Sequence, residues 1–305
     1  MVGHPFDPLS MEELLIARDV VLKQYSADVV DFREIYLREP DKELMKAFLD
    51  LEHAGKLNLD TPRPPRLAKV QYDIIKPGKT FEYHEAAVDL GKKCIAFHEV
   101  IDTVHHASLT VWEFRTLVEA CEKSDLFNDA IKEFELPANF KVIIEPWPYG
   151  GADKDEENRR YFQGLCFAQD ESSGNEDSNF YAFPLPLIPV MDARTQKIVR
   201  IDRLATGGKE DGLSDHTYSK RILDHCKPAE YDPLLIKDRM RKDLKPINIT
   251  QPEGVSFKIT DGHLVEWQKW RFRLSFNPRE GATLYDVTYD GRQILYRMAM
   301  SEMVR

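Results

Sequence analysis

The chain has 305 residues, of which 42% are hydrophobic and 31% are charged, and it carries a formal net charge of −10. This length accommodates roughly two or three domains, and the composition is that of a protein with ordinary buried cores. An acidic protein lacks the basic face that attracts nucleic acids and anionic membranes, so we expect neither as a partner. The four cysteines are far apart and form no zinc signature; we expect buried thiols in a reducing compartment at Cys94, Cys121, Cys166 and Cys226.

The ends of the chain carry no targeting signal that we recognise. The first ten residues lack a basic segment followed by an apolar one, and no stretch approaches the length of a membrane span. The last three residues, Met-Val-Arg, differ from a peroxisomal Ser-Lys-Leu-type tripeptide. We therefore expect an intracellular protein, either cytoplasmic or peroxisomal, without a membrane anchor.

The beginning of the chain predicts a small α+β domain over residues 1–91. Ser10 and Glu13 have capping-box spacing and predict a helix, whose apolar stripe we expect to contain Leu14, Leu15, Ala17, Val21 and Leu22. A second helix is predicted to begin at Pro40, with Leu44, Phe48 and Leu51 on one face. Strands are predicted over 29–37, 67–75 and 80–90, so the order helix, strand, helix and hairpin gives a minimal α+β core.

A second α+β domain is predicted over residues 92–205. Thr110 and Glu113 repeat the capping-box spacing before a helix, and a short helix follows over 124–134. Strands are predicted over 140–145, 159–168, 180–190 and 197–202, because turn residues separate these apolar runs. Residues 206–242 contain few apolar side chains and are predicted to be a solvated linker.

Residues 243–305 predict the opening antiparallel strands of an incomplete β-sandwich. Asp261-Gly262 and Asp290-Gly291 are typical of type I′ hairpin turns, in which both central residues have positive φ. We count at most four strands, whereas a sandwich needs about seven. A partner sheet is therefore expected to cover the apolar residues here, which include Trp267, Trp270, Phe272 and Tyr296.

Long phrases of the sequence resemble the copper/topaquinone amine oxidases. DLKPINITQPEGVSF (243–257), WQKWRFRLSFNPREG (267–281) and GRQILYRMAMSEM (291–303) are similar to the start of the catalytic domain in that family. HPFDPLS (4–10), LTVWEF (109–114) and NFYAFPLPLIPVMDARTQKIVRIDR (179–203) resemble the two small cystatin-like domains that precede it. The resemblance implies the N-terminal portion of a primary amine oxidase, with an α+β fold.

The resemblance also implies a reaction and its cofactors. Full-length relatives convert primary amines, O₂ and water to aldehydes, ammonia and hydrogen peroxide, and they work as homodimers with copper and topaquinone. The family's catalytic Asp, its quinone tyrosine in an Asn-Tyr-Asp-Tyr segment and its three copper histidines have no counterpart in these 305 residues. We therefore expect no catalytic, cofactor-binding or metal-binding residues here, and no amine oxidation by this chain alone.

Two groups of residues have side chains suited to metal binding or proton transfer. His105-His106 is an adjacent pair, whose members point apart on a strand or helix, and the family uses a His-x-His instead; we expect loop packing. Asp261, Asp286 and Asp290 are carboxylates of the kind that removes a substrate proton. We expect turn roles for Asp261 and Asp290 and an alternating strand position for Asp286.

Aromatic residues give a further set of candidates. Tyr285, Tyr289 and Tyr296 lie outside any Asn-Tyr-Asp-Tyr context, so we expect cross-strand packing rather than a quinone precursor. Trp267 and Trp270 have the side chains to line a ligand channel, but their spacing favours a sandwich core.

An alternative function comes from another class. The chain could be a naturally truncated amine-oxidase-like protein that serves as a binding module, pairs with a full-length amine oxidase, or has a repurposed metal-free activity. The sequence alone leaves open whether it is a genuine truncation or a piece of a longer protein.

Overall fold

The computed structural model describes residues 3–75, 82–102, 105–150, 159–204 and 220–300. The chain divides into two compact units, the first formed by Met1–Asp102 together with Asn248–Arg305 and the second by Thr103–Ile247. Both units combine helices or helical turns with antiparallel sheets, so the predicted α+β class is confirmed. The predicted domain boundaries at residues 91, 205 and 242 stay a prediction.

The first unit begins with a helix on a four-stranded antiparallel sheet. Helix α1 (Met11–Gln24) starts with the predicted capping box between Ser10 and Glu13. The sheet has the order β1 (Val29–Arg38), β2 (Leu67–Ile75), β3 (Glu82–Asp89) and β4 (Cys94–Val100). Strand β4 is an addition to the prediction, and its residues are mostly polar or exposed because it forms the edge of the sheet.

The apolar stripe of α1 is narrower than the sequence predicts. Ala17 and Val21 are fully buried against the sheet, whereas Leu15 and Leu22 are 41% and 39% exposed. Helix α2 (Lys42–His53) also differs in its start: Asp41 is the N-cap, and its side chain accepts hydrogen bonds from two backbone N–H groups of the first turn. The predicted start at Pro40 is therefore wrong by two residues, because a capping carboxylate follows it.

In the second unit, two helices pack against an antiparallel sheet whose strands differ in length. Helix α3 (Val111–Glu122) has the predicted Thr110–Glu113 capping box, and α4 (Asp125–Ile131) follows it. The strands are β5 (Phe140–Pro148), β6 (Tyr161–Asp170), β7 (Pro184–Leu185), β8 (Leu187–Asp192) and β9 (Lys197–Arg203). Their order is β5-β6-β8-β9, with β7 paired to β6.

Two expectations for the second unit are wrong. The single strand predicted over 180–190 is a 3-10 turn, Phe180–Ala182, followed by two short strands, because Pro186 between them lacks the N–H that a continuous strand donates. The described part of the predicted linker is not simply solvated. Ile222, Leu223 and Cys226 pack against the core of this unit, and the Glu230 carboxylate accepts a hydrogen bond of 2.8 Å from Ser178 Oγ.

The chain returns to the first unit as a five-stranded meander. Its strands are β10 (Phe257–Thr260), β11 (Leu264–Trp267), β12 (Trp270–Asn277), β13 (Gly281–Tyr289) and β14 (Arg292–Ala299), paired in sequence order. Our limit of four strands is wrong because a turn at Gln268, with φ of 54°, divides a run that reads as one strand. Both Asp-Gly turns have positive φ at both residues, as predicted.

The two faces of this C-terminal sheet differ in burial. One face contacts α2 and the N-terminal segment, where Phe6, Met45, Phe48, Leu49 and Tyr285 form one buried cluster. The opposite face, here called the outer apolar face, carries Leu274, Phe276 and Met298, which are 43%, 67% and 48% exposed. The expected partner sheet is therefore replaced on one face by helix α2, and the outer apolar face has no such cover among the described residues. Among the described residues, no helix is long and apolar enough to cross a membrane.

Candidate functional site

A group of ionisable side chains lies where α2 meets the C-terminal sheet. Within the described ranges, three side chains of metal-binding types come together here: Glu52, His53 and Asp286, whose ligand atoms lie within 4.8 Å of one another. Arg271 and Arg273 of β12 contact the same carboxylates. These five residues are called the α2–sheet ion cluster below.

Asp286 is the most deeply buried member of the cluster. Its side chain is 0% exposed, and the residue has φ of 50° where the pairing of β12 with β13 shifts register, opposite the segment between Arg271 and Arg273. Asp tolerates this left-handed conformation better than most residues, which lets β13 bulge and direct the carboxylate inward. The carboxylate accepts hydrogen bonds from His53 Nε2 at 2.7 Å, Arg271 Nη1 at 2.8 Å and Gln293 Nε2 at 3.2 Å.

Glu52, near the end of α2, completes the charge balance of the cluster. Its carboxylate lies 2.9 Å from Arg273 Nη2 and 3.2 Å from Arg271 Nη2. Burial by itself raises the pKa of Glu52, but His4 and Arg273 outweigh that effect and hold this pKa well below its ordinary value. His4 Nε2 lies 3.6 Å from the same carboxylate, and burial lowers the pKa of His4.

The cluster therefore has two carboxylates and two guanidinium groups in close contact. Arg271 touches both Glu52 and Asp286, so a metal cation would have to displace an arginine that already neutralises them. The residues do not fit a copper centre of three histidines, because His53 is the single histidine in the group. What the arrangement does is attach the end of α2 to β12 and β13.

A second ion group ties the same sheet to the residues before α2. Glu39 accepts hydrogen bonds from Tyr285 Oη at 2.7 Å and from Arg297 Nε at 2.8 Å. Arg297 also bonds Glu280. Burial, followed by the hydrogen bond to Glu39, raises the pKa of Tyr285. This phenol is a buried donor to a carboxylate and not an exposed reactive group.

Comparisons with known proteins identify the family of the chain. Residues 112–211 match the family model for the copper amine oxidase N3 domain, and residues 258–305 match that for the copper amine oxidase enzyme domain. Copper amine oxidase 1 of Aspergillus niger is 57% identical over 303 residues, which cover 99% of this chain and 45% of that protein. The chain belongs to the copper amine oxidase family.

Further relatives agree with this assignment. A peroxisomal primary amine oxidase of Pichia angusta is 31% identical over 97% of this chain and 40% of its own length. The crystal structure of a copper-containing benzylamine oxidase from Hansenula polymorpha superposes with a TM-score of 0.82 at 28% identity, covering 97% of this chain and 44% of that one. The chain thus spans less than half the length of these relatives.

The candidates drawn from the sequence lie in different turns, loops and strands of the chain. Asp290 sits in its hairpin turn, 2.7 Å from Lys269 Nζ, and Asp261 occupies the other Asp-Gly turn. His105 and His106 are exposed and lie in the loop before α3. The structure brings none of these four described residues to the α2–sheet ion cluster, whereas Asp286 is part of it.

The aromatic candidates have three different environments. Tyr289 packs across the strands against Trp270, with ring centroids 4.8 Å apart, which is the predicted role. Tyr285 instead stacks on Phe6 at 4.3 Å, and the edge of Tyr296 meets the same ring at 5.7 Å, so their main partner is the N-terminal segment. Trp267 is 45% exposed and lies outside any core of the described residues.

Sequence reasoning missed most of the ion cluster. Glu52, His53, Arg271 and Arg273 were not candidates, although one signal was available. Arg271 and Arg273 are two residues apart in a strand, so they share a face, and a buried face cannot hold two guanidinium groups without carboxylates opposite them. The identity of those carboxylates was hidden because they come from residues distant in sequence.

Proposed function

We propose that this chain forms the N-terminal scaffold of a copper amine oxidase. By the family resemblance, the whole enzyme would oxidise primary amines to aldehydes, with release of ammonia and hydrogen peroxide, and would use copper and topaquinone. The proposal is supported by 57% identity to copper amine oxidase 1 of Aspergillus niger along 99% of this chain. The role of the chain would be to fold the two small domains and to start the catalytic sheet.

The outer apolar face is the observation that carries this proposal. Leu274 and Phe276 of β12 lie on the same face of the sheet as Met298 of β14, with β13 between the two strands, and more than 40% of each side chain is exposed. Burying an apolar side chain of this size stabilises a protein by roughly 1.5–3 kcal/mol, so a sheet face that exposes three such side chains gains stability from a cover. We propose that the remainder of the catalytic β-sandwich is that cover.

The chain itself would not carry out amine oxidation. A general base needs a lone pair that is free to accept the substrate proton, and the buried carboxylates at the α2–sheet junction already accept hydrogen bonds from arginine. The metal-binding candidate group does not match a three-histidine copper centre. We propose that copper and topaquinone belong to parts of the family outside these residues.

A peroxide assay tests the proposed inactivity. The purified 305-residue chain is incubated with Cu²⁺ and then with benzylamine or methylamine in air, and hydrogen peroxide is measured with a peroxidase-coupled dye. The Aspergillus niger relative, treated identically, is the positive control. We expect peroxide from the control alone; peroxide from this chain that requires both amine and copper would contradict the proposal.

The outer apolar face also favours a second candidate function, that of an interaction module. The same face could pair two copies of this chain, or this chain with a full-length amine oxidase, as the homodimers of the family suggest by resemblance. Size-exclusion chromatography with light scattering, performed with and without the Aspergillus niger relative, distinguishes these cases. If the chain is monomeric both alone and in the presence of the relative, the interaction-module function is excluded.

We also propose a cytoplasmic or peroxisomal location, again from the resemblance to the family. The Pichia angusta relative is described as peroxisomal. Microscopy of the endogenous protein with a peroxisomal marker tests this, and secretion of the protein would contradict it.

A further inference from the structure

A second polar cluster lies in the first unit, away from the residues discussed above. It joins three elements of the N-terminal sheet and the end of α1: Tyr72 on β2, His84 on β3, His98 on β4 and Tyr25 at the C-cap of α1. Tyr72 lies directly opposite His84, and His98 pairs with Ala86, two residues along the same face. The pairing register therefore places all three strand residues on the face that α1 covers.

Two ligand-type atoms of this histidine–tyrosine cluster lie close to His98 Nε2. His84 Nδ1 lies 2.8 Å from His98 Nε2, and Tyr25 Oη lies 3.0 Å from the same nitrogen. The Tyr72 ring stacks on the His84 ring with centroids 5.3 Å apart. Tyr72 and His84 are 0% and 4% exposed, whereas His98 is an exposed residue of the edge strand. The cluster is thus buried on one side and open to solvent on the other.

His84 Nδ1 and Tyr25 Oη both face His98 Nε2, and a neutral imidazole nitrogen either donates one proton or accepts one, so the two groups compete for this nitrogen. A metal ion resolves that competition because each atom then directs a lone pair at the cation. Zinc binds imidazole nitrogen at about 2.0–2.1 Å in a tetrahedron, which sets neighbouring ligand atoms at about 3.3 Å. The observed separations of 2.8 and 3.0 Å need to open by only a few tenths of an ångström to match.

The surroundings of His84 fit a ligand histidine. Glu82 Oε2 lies 3.7 Å from His84 Nε2, the nitrogen that faces away from His98. At this distance the carboxylate makes an ionic contact rather than a hydrogen bond, and a negative charge near the distal nitrogen increases the basicity of the imidazole. In addition, no hydrogen bond of normal geometry reaches the buried Tyr72 Oη from the described residues.

We propose that His84, His98 and Tyr25 bind one divalent transition-metal ion of the zinc and copper class, with water completing the coordination. Two imidazoles and a phenol oxygen suit Zn²⁺ or Cu²⁺ rather than Ca²⁺ or Mg²⁺, which prefer sets of carboxylate and carbonyl oxygens. The bound ion joins the end of α1 to β3 and β4. Because the ion binds the folded chain, it also raises the stability of the first unit by mass action.

The test is a zinc titration of the 305-residue chain after removal of metals with EDTA. Zn²⁺ is added in competition with a chromophoric chelator, and the thermal transition is recorded with and without the ion. We expect binding of one Zn²⁺ that raises the transition temperature. His98→Ala should weaken binding by at least about tenfold, because even an outer-sphere substitution costs that much. His98 is exposed, so this variant should keep its far-UV circular dichroism spectrum.

Two control variants separate this site from others. His225→Ala removes an exposed histidine of the second unit, and His53→Ala removes the histidine of the α2–sheet ion cluster; both should bind Zn²⁺ as the parent chain does. Tyr25→Phe keeps the ring and loses only the hydroxyl, so it should lower the affinity without unfolding α1. Three results would overturn the proposal: absence of stoichiometric binding by the parent chain, unchanged affinity in both His98→Ala and Tyr25→Phe, or loss of the ion in His53→Ala alone.

Discussion

The Asp286→Asn substitution is the most informative single change in the α2–sheet ion cluster. Asn keeps the size of the side chain and tolerates the φ of 50° that this residue adopts. It removes one negative charge from a site where the carboxylate is 0% exposed. It also turns an amide NH₂ toward groups that donate hydrogen bonds to the present carboxylate, among them His53 and Gln293.

The size of the effect follows from the contacts that remain. Removal of one partner from a buried ion pair costs about 3–5 kcal/mol, and a hydrogen bond to a charged group is worth about 1.5–3 kcal/mol. Arg271 keeps its contact with Glu52 and is 24% exposed, so water and the second carboxylate offset part of the loss. We expect the first unit to lose about 2 kcal/mol, or about 1 M in the urea midpoint at an m-value near 2 kcal/mol/M.

Asp290→Asn is a matched control in the turn that follows the same strand. Asp290 has φ of 51° and pairs with Lys269 at 2.7 Å, but both side chains are more than half exposed, at 63% and 56%. An exposed pair contributes roughly 0–1 kcal/mol, so this variant should unfold nearly as the parent does. The assay is urea unfolding followed by tryptophan fluorescence in a Trp112→Phe, Trp147→Phe background, which leaves Trp267 and Trp270 to report on the first unit. Equal midpoints for the two Asn variants would refute the importance of buried charge at Asp286.

Three further predictions concern other residues of the chain. Phe6→Ala should destabilise the first unit by about 3–4 kcal/mol in the same urea assay, because Phe6 is 1% exposed; Phe276→Ala, at 67% exposed, should change it little. Cys94 should react with a thiol reagent before Cys121, because Cys94 is exposed and burial raises the pKa of the Cys121 thiol to about 12; equal rates would contradict this. Burial lowers the pKa of His4 in the folded state, so the stability that neutral His4 contributes is complete above the unfolded-state pKa near 6.5 and is lost as pH falls. The urea midpoint of the His4→Asn variant should therefore depend less on pH between about 7 and 5 than that of the parent chain. An unchanged pH dependence would exclude His4 as a cause of the acid destabilisation.

Local chemistry accounts for what could be predicted from the sequence. The Ser10 and Thr110 capping boxes and both Asp-Gly turns depend on residues at most three apart, and the structure has all four. Strand β2 likewise matches its predicted bounds. Strand β4 was missed because an edge strand with exposed polar residues lacks the apolar alternation that identifies strands.

Long-range contacts account for most of the remainder. His53 and Asp286 are 233 residues apart, and Tyr285 bonds Glu39 across 246 residues. No periodicity in the sequence encodes such pairs, so α2 was predicted to complete the N-terminal core when its buried face in fact meets the C-terminal sheet. The start of α2 and the turn at Gln268 were missed for a different reason: a capping Asp after Pro40 and a non-glycine left-handed residue are weak signals beside strong apolar runs.

The measurement that tests the central claim most directly is a hybrid enzyme. Residues 1–305 of this chain replace the aligned N-terminal part of the Aspergillus niger relative, to which they are 57% identical over 303 residues, and the hybrid is assayed for peroxide release from a primary amine. If this chain is the scaffold of a copper amine oxidase, the hybrid folds, covers the outer apolar face and releases peroxide. A soluble, folded hybrid that contains copper and yet releases no peroxide would contradict the account.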